Sequence, residues 1–234
     1  METTTPNLSF FFAIHRKMRS DTARYVRAVA TATESDRQGR LSPLARWSKG
    51  FVHELEEHHF VEDTYFFPDL RNRVPVAGPI LDRIVADHRA LDELLGRWPA
   101  ISARLTSAAT PFMEAKQEAH AHAVAMHELL LDHLDVEDND ILPLFWRHYS
   151  AAEYDTVYER AVKNGKKRGL GFVIPWNVDC VDGDERAALM AVAPLPLKLL
   201  WYGTRRRYAR LVADAFGAVV EAQTGDAPLP APRG

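Results

Sequence analysis

The chain has a single cysteine among 234 residues. Cys180 has no partner for an internal disulfide, which excludes a disulfide-stapled secreted scaffold and fits a reducing compartment. No histidine or second cysteine stands beside it, so a catalytic thiol is not expected. Excess positive charge is missing too. Lys and Arg number 29 against 32 Asp and Glu, a net charge of −3. That excludes nucleic-acid binding by bulk charge. Long apolar runs are scarce. METTTPN at the start is polar and lacks a basic segment, and the run Leu8 to Ile14 breaks at His15-Arg16-Lys17, so no signal peptide is expected. A cytoplasmic protein is the expectation. Clean strand alternation is absent from the first 148 residues, and the chain has no P-loop, GxGxxG turn or serine-centred elbow.

A globular balance remains: 47% of residues are hydrophobic and 26% charged. Residues 1–148 read as four long helices. The first runs from about Leu8 to Thr33, before a polar turn over Glu34 to Arg40. Ser42-Pro43 reads as an N-cap followed by a first-turn proline, and Thr110-Pro111 repeats the signature. Pro75 and Pro79 flank the start of the third helix, which runs to about Arg104. Pro68 and Pro143 read as the stops of the second and fourth helices. Short loops between long helices favour an all-α, up-down-up-down four-helix bundle.

Residues 149–222 read as a helical extension and 223–234 as a frayed tail. Ala151 to Asn164 is a short helix. Gly165 to Val181, with its glycines and Pro175-Trp176, reads as an ordered loop. Asp182 with Glu185 is a capping-box pattern before a helix over Ala187 to Ala193. A further amphipathic helix spans about Leu197 to Ala222, making a C-terminal helical hairpin. The stretch Ala187 to Tyr202 is too short to span a bilayer and contains Pro194, Pro196 and Lys198. A hairpin packed on the bundle is the simpler reading of 187–207. The rival is an interfacial anchor rimmed by Arg205, Arg206 and Arg207, with a membrane surface as the partner.

The ten histidines carry the functional signal. HHFVEDTYFFP, from His58 to Pro68, matches HLDVEDNDILP, from His133 to Pro143, at the His, Val-Glu-Asp and Pro positions. His15-Arg16 on the first helix is answered by His88-Arg89 on the third. The chain thus contains two helix pairs, each with one leading histidine and a trailing His-x-x-x-Glu. Residues four apart differ by about 40° around a helix, so His58 with Glu62, and His133 with Glu137, point into one volume. In an antiparallel bundle these pairs face each other, with His15 and His88 beside them. Unpaired charges there would cost several kcal/mol or more, and a metal resolves that cost. Mixed imidazole and carboxylate ligation without cysteine suits iron or manganese better than structural zinc. Two carboxylates shared among six or seven ligands suit two metals bridged by Glu62 and Glu137.

This pattern, spread over residues 8–148, resembles the hemerythrin-like (HHE) cation-binding domain. The resemblance implies two non-haem iron ions with an oxo or hydroxo bridge and one open coordination position. It implies a small-molecule oxidant as partner: dioxygen, hydrogen peroxide or nitric oxide. Two departures point away from the oxygen-storage members. Those members have a second third-helix histidine where this chain has Asp92, and a last-helix His-x-x-x-x-Asp where this chain has His133-x-x-x-Glu137. The seventh ligand is then His59 or Asp92. The resemblance favours His59, since in some relatives the residue after the second-helix histidine ligates. Its counterpart in the other repeat is Leu134.

Asp63 and Asp138 lie about 140° from the ligand histidines and read as solvated or as supports for the ligands. His122 is about three turns from His133, too far for one centre. His53, His120, His127 and His148 fall off the stripe. Phe11, Met18 and Leu91 lie one turn from His15 and His88 and wall the expected pocket. Tyr65, two turns from His58, reads as core packing or pocket lining. Turnover would mean peroxide decomposition or nitric-oxide chemistry; without turnover the protein is a carrier. The alternative is an iron, oxygen or redox sensor or scaffold whose C-terminal hairpin contacts a partner or membrane surface.

Overall fold

A computed structural model describes residues 5–165, 168–181 and 183–217, and these contain ten α-helices and no strand. The four long helices are α1 (Ser9–Ala30), α2 (Leu41–Val61), α4 (Gly78–Thr106) and α5 (Phe112–Val136). Two short helices, α3 (Phe67–Arg73) and α6 (Leu142–His148), prolong α2 and α5. Helix α1 packs on α5, α5 on α4 and α4 on α2.

The starts of α2 and α5 differ from expectation. Helix α2 begins at Leu41 after Arg40, with no side-chain cap, so Ser42 is not the cap. Pro43 lies third in the first turn, where an N–H would have no helical acceptor anyway. At α5 the cap position is Pro111 itself.

Pro68 and Pro143 do not stop their helices. Each follows a π-helical turn, Glu62–Phe66 in one repeat and Glu137–Ile141 in the other. The N–H of Phe67 reaches back five residues to the carbonyl of Glu62, and that of Leu142 to the carbonyl of Glu137. A proline cannot donate, and its ring crowds the carbonyl four residues back. The wide turn has already given up the regular ladder at that point, so the helix continues through the proline. Such turns concentrate at functional sites, and both begin on a repeated glutamate.

The core falls into two apolar clusters. One holds Met18, Tyr25, Trp47, Phe51, Leu55, Leu91, Trp98 and Leu134; the other holds Phe12, Phe66, Phe67, Ile84, Ile141 and Phe145. Along α1 and α4 the second cluster comes first in sequence. Along α2 and α5 it comes last. On each helix the repeated histidine lies near the junction of the two.

Helix α7 (Ala151–Asn164) starts from a Ser150–Glu153 capping box and buries Tyr154 against Phe66 and Phe145. Gly165 to Val181 is not a loop throughout: α8 (Leu170–Val178) forms within it. Gly169, at φ 61°, opens this helix in the left-handed region that glycine tolerates. Trp176 anchors it, fully buried and donating from Nε1 to Asp21 Oδ2 at 2.8 Å. That tertiary contact outweighs the internal Pro175. Helix α9 (Gly183–Val192) leads to α10 (Leu195–Phe216), which lies along α2 and α8. The Asp182 cap, the end of the last expected helix and the 223–234 tail lie outside the described residues. Among the described residues, no helix is long and apolar enough to cross a membrane.

Candidate metal centre

Helices α1, α2, α4 and α5, with the two π turns, bring seven side chains together between the apolar clusters. Their donor atoms form two groups, each within 4.8 Å: His59, His88 and His133 in one, and His15, His58, Glu62 and Glu137 in the other. His15, His59, Glu62, His88, His133 and Glu137 are buried, and His58 nearly so.

The carboxylates lie between the groups. Glu62 places Oε1 3.2 Å from His58 Nε2 and Oε2 3.5 Å from His88 Nε2. Glu137 places Oε2 3.5 Å from both His15 Nε2 and His133 Nε2, and Oε1 3.8 Å from His88 Nε2. His15 Nε2 and His58 Nε2 stand 3.2 Å apart.

Carboxylates behind the rings fix three of the five imidazoles. His15 donates from Nδ1 to Asp138 at 2.6 Å, His88 to Asp63 at 2.9 Å and His59 to Asp92 at 3.0 Å. A carboxylate only accepts, so each Nδ1 carries a proton, and Nε2 offers its lone pair to the interior when the ring is neutral. Asp63 and Asp138 therefore support histidines, as their angular position suggested, but across the repeats: each holds the leading histidine of the other helix pair. Asp92 and His59 are hydrogen-bond partners, with Nε2 of His59 the atom that joins the inner group.

Burial sets the charge state. His133 is pushed down to about 3, chiefly by desolvation. Desolvation and the neighbouring His15 hold His58 well below the usual imidazole value, and desolvation lowers His59 despite Asp92. Burial also opposes the charged form of His88, but Asp63 and Glu137 raise it to about 9. Burial and the Glu137 charge push Glu62 well up. Burial works the same way on Glu137, but His133, His88 and His15 hold it low.

The donor set fits a metal. Among the described residues, His59 Nε2, Glu62 Oε2, His88 Nε2, both nitrogens of His133 and both oxygens of Glu137 are buried without a hydrogen-bond partner. Each such atom costs about 1–3 kcal/mol when nothing meets it, and more where charged. Bound cations would answer these atoms, with His133 offering Nε2, the nitrogen 3.5 Å from Glu137.

The expected pocket residues divide. Phe11 sets its ring edge-on to His15 at 5.6 Å and tilted to His58 at 5.8 Å. Met18 and Leu91 are fully buried in the first apolar cluster. Tyr65 packs edge-on to Phe60 at 6.3 Å and lies under Arg160. His122 bonds the Leu94 carbonyl, and His127 the Thr22 hydroxyl. Sequence reading missed Arg19, which grips Asp138 Oδ2 at 2.8 Å and so braces the support of His15. The repeat held a signal: Arg19 and Asp92 occupy matching positions, four residues after His15 and His88.

No curated protein and no solved structure matches the chain. Residues 7–145 match the model of the hemerythrin HHE cation binding domain, and with that match spanning more than half its length the chain belongs to this family.

Proposed function

We propose that this chain is a non-haem di-iron protein that binds or reacts with a small oxidant: dioxygen, hydrogen peroxide or nitric oxide. The observation that carries the reading is the pair of donor groups sharing Glu62 and Glu137, each carboxylate facing both. In this reading His59, His88 and His133 would hold one iron and His15 and His58 the other, with Glu62 and Glu137 available to both. When bound, the iron pair supplies the electrons and the open coordination position that an oxidant needs.

The residues of the chain do the rest. Asp63, Asp92 and Asp138 hold three rings so that Nε2 stays available. Phe11 and Phe66, edge to face at 5.4 Å, exclude water beside His15 and His58. The His15 and His58 group has one imidazole fewer than the other, so a metal held there would have more room for an oxidant. The alternating order of apolar clusters along α1, α2, α4 and α5 supports an up-down-up-down bundle, with residues 149–222 as its extension. The lone buried thiol accords with a cytoplasmic setting.

Anaerobic loading with ferrous iron, followed by a metal count and visible spectra on adding oxygen or peroxide, tests the proposal. Two irons per chain with new near-ultraviolet bands are expected. Reversible bands identify a carrier, and bands that bleach as peroxide disappears over many cycles identify an enzyme. Unchanged iron content in a His58→Ala, Glu137→Ala double variant would sink the reading. A sensor reading draws on one further observation: Leu195, Leu199 and Tyr202 form an exposed apolar stripe on α10. It expects reversible iron oxidation without turnover and a change in exposure of that stripe.

A further inference from the structure

A cavity lies apart from the metal centre, between α2, α8 and α10. Its volume is ≈ 840 Å³, and none of the seven centre residues lines it. That size falls in the range of small-molecule sites. Arg46, Lys49, Arg168, Arg207 and Arg210 surround it, against one carboxylate, Asp214. Among the described residues, none of these five cations forms an ion pair. Arg71 with Asp82, Arg73 with Glu153, and Arg104 with Glu114 and Glu118 are examples of paired surface arginines elsewhere. Five like charges around one opening repel one another and raise the local concentration of anions.

The floor is apolar and closely built. Phe172, Leu170, Leu211 and Tyr208 line it, and Tyr208 is buried. The Phe172 ring lies so close to the backbone of α2 that a Cβ at Gly50 would meet it at 2.5 Å. A Cβ at Gly169 would meet the His53 ring at 2.9 Å. These two glycines let α8 settle against α2 and shape the cavity. His53 also lines it, and its Nε2 is buried with no hydrogen-bond partner among the described residues.

We propose that this cavity binds an amphipathic anion, a small molecule with one phosphate or carboxylate head on an apolar body. The body lies on Phe172 and Leu211, where apolar burial drives binding. The head meets Lys49 and the guanidinium groups of Arg207 and Arg210, and the fixed N–H fork of a guanidinium suits such oxygens. The full-length, iron-loaded protein supplies the test, by calorimetric titration with decyl phosphate below its micelle concentration. One site per chain is expected. Decanol lacks the head and inorganic phosphate lacks the body, so each binds at least about tenfold more weakly.

An Arg207→Glu, Arg210→Glu variant changes two exposed positions and leaves iron content unchanged. It weakens decyl phosphate by at least about tenfold, and an Arg46→Ala, Lys49→Ala variant acts in the same direction. Equal binding of decanol, or no loss in either charge variant, would overturn the proposal. So would capture by phosphatidylglycerol vesicles without binding of decyl phosphate.

Discussion

Trp47 and His133 are equally buried on neighbouring stretches of one core, but their surroundings are opposite in kind. Around Trp47 the fit is one of shape. Phe51 stacks on it at 5.1 Å, Phe216 meets it edge-on at 4.8 Å, and Tyr25 stacks at 6.3 Å. Around His133 the neighbours are imidazoles and carboxylates, several with buried atoms that meet no donor or acceptor. The first region is stabilised by its own contacts. The second stays costly until a cation supplies what its side chains lack. Burial alone therefore says little about which part of a core is structural. Nor does a single unmet atom, since Trp47 Nε1 also lacks a hydrogen-bond partner among the described residues; what marks the centre is several ionisable donor atoms left unmet together.

Trp47→Ala is the sharpest way to separate the two regions. It should cost about 3–5 kcal/mol in denaturant unfolding, by lost transfer energy and a cavity. Iron content per folded chain should stay the same. Loss of iron would show that the aromatic end and the centre are not independent.

Glu54 marks the boundary on the aromatic side, and pH probes it. It is buried, accepts a hydrogen bond from Asn177 at 2.9 Å, and is pushed up to about 7 by desolvation. In the unfolded chain it loses its proton near 4.5. Between these values the folded state binds more protons, so its contribution is full below 4.5 and is lost as pH rises through 7. The loss amounts to about 3 kcal/mol. Urea unfolding of Glu54→Gln against pH should lack that slope, and an unchanged slope would assign it to other groups.

The smallest effect belongs to the supports of the centre. Asp138→Asn keeps the shape but removes the charge behind His15. Metal affinity should fall about 10–100-fold, read by competition with a chelator. Asp63→Asn should do the same through His88. Unfolding of the metal-free protein should change far less in both, and the packing around Trp47 not at all.

Much of this comparison was legible in the sequence, because the spacing of His, Glu and Asp is a helical spacing and occurs twice. The gathering of His15, His58, Glu62, His88, His133 and Glu137 followed from periodicity alone. What escaped was anything that depends on a tertiary partner. Pro68 and Pro143 carry the local chemistry of helix stops, yet a five-residue turn ahead of each lets the chain run on. Gly169, Gly171 and Pro175 argue locally for a loop, yet the Trp176 bond to Asp21 holds a helix there. His59 and Asp92 looked like competitors for one role because a one-helix projection cannot show that they face each other across α2 and α4.

The crossed supports have a further consequence for how such a centre can be divided. Asp63 serves the leading histidine of the other helix pair, and Asp138 returns the same contact, so the two halves meet as the faces of a two-fold dimer do. Neither half, cut free, keeps its leading histidine oriented; two copies of one half could satisfy every crossed contact. Such a symmetric assembly would have two equivalent sides. His59, whose counterpart in the other repeat is Leu134, makes the real sides unequal: three imidazoles gather on one side and two on the other.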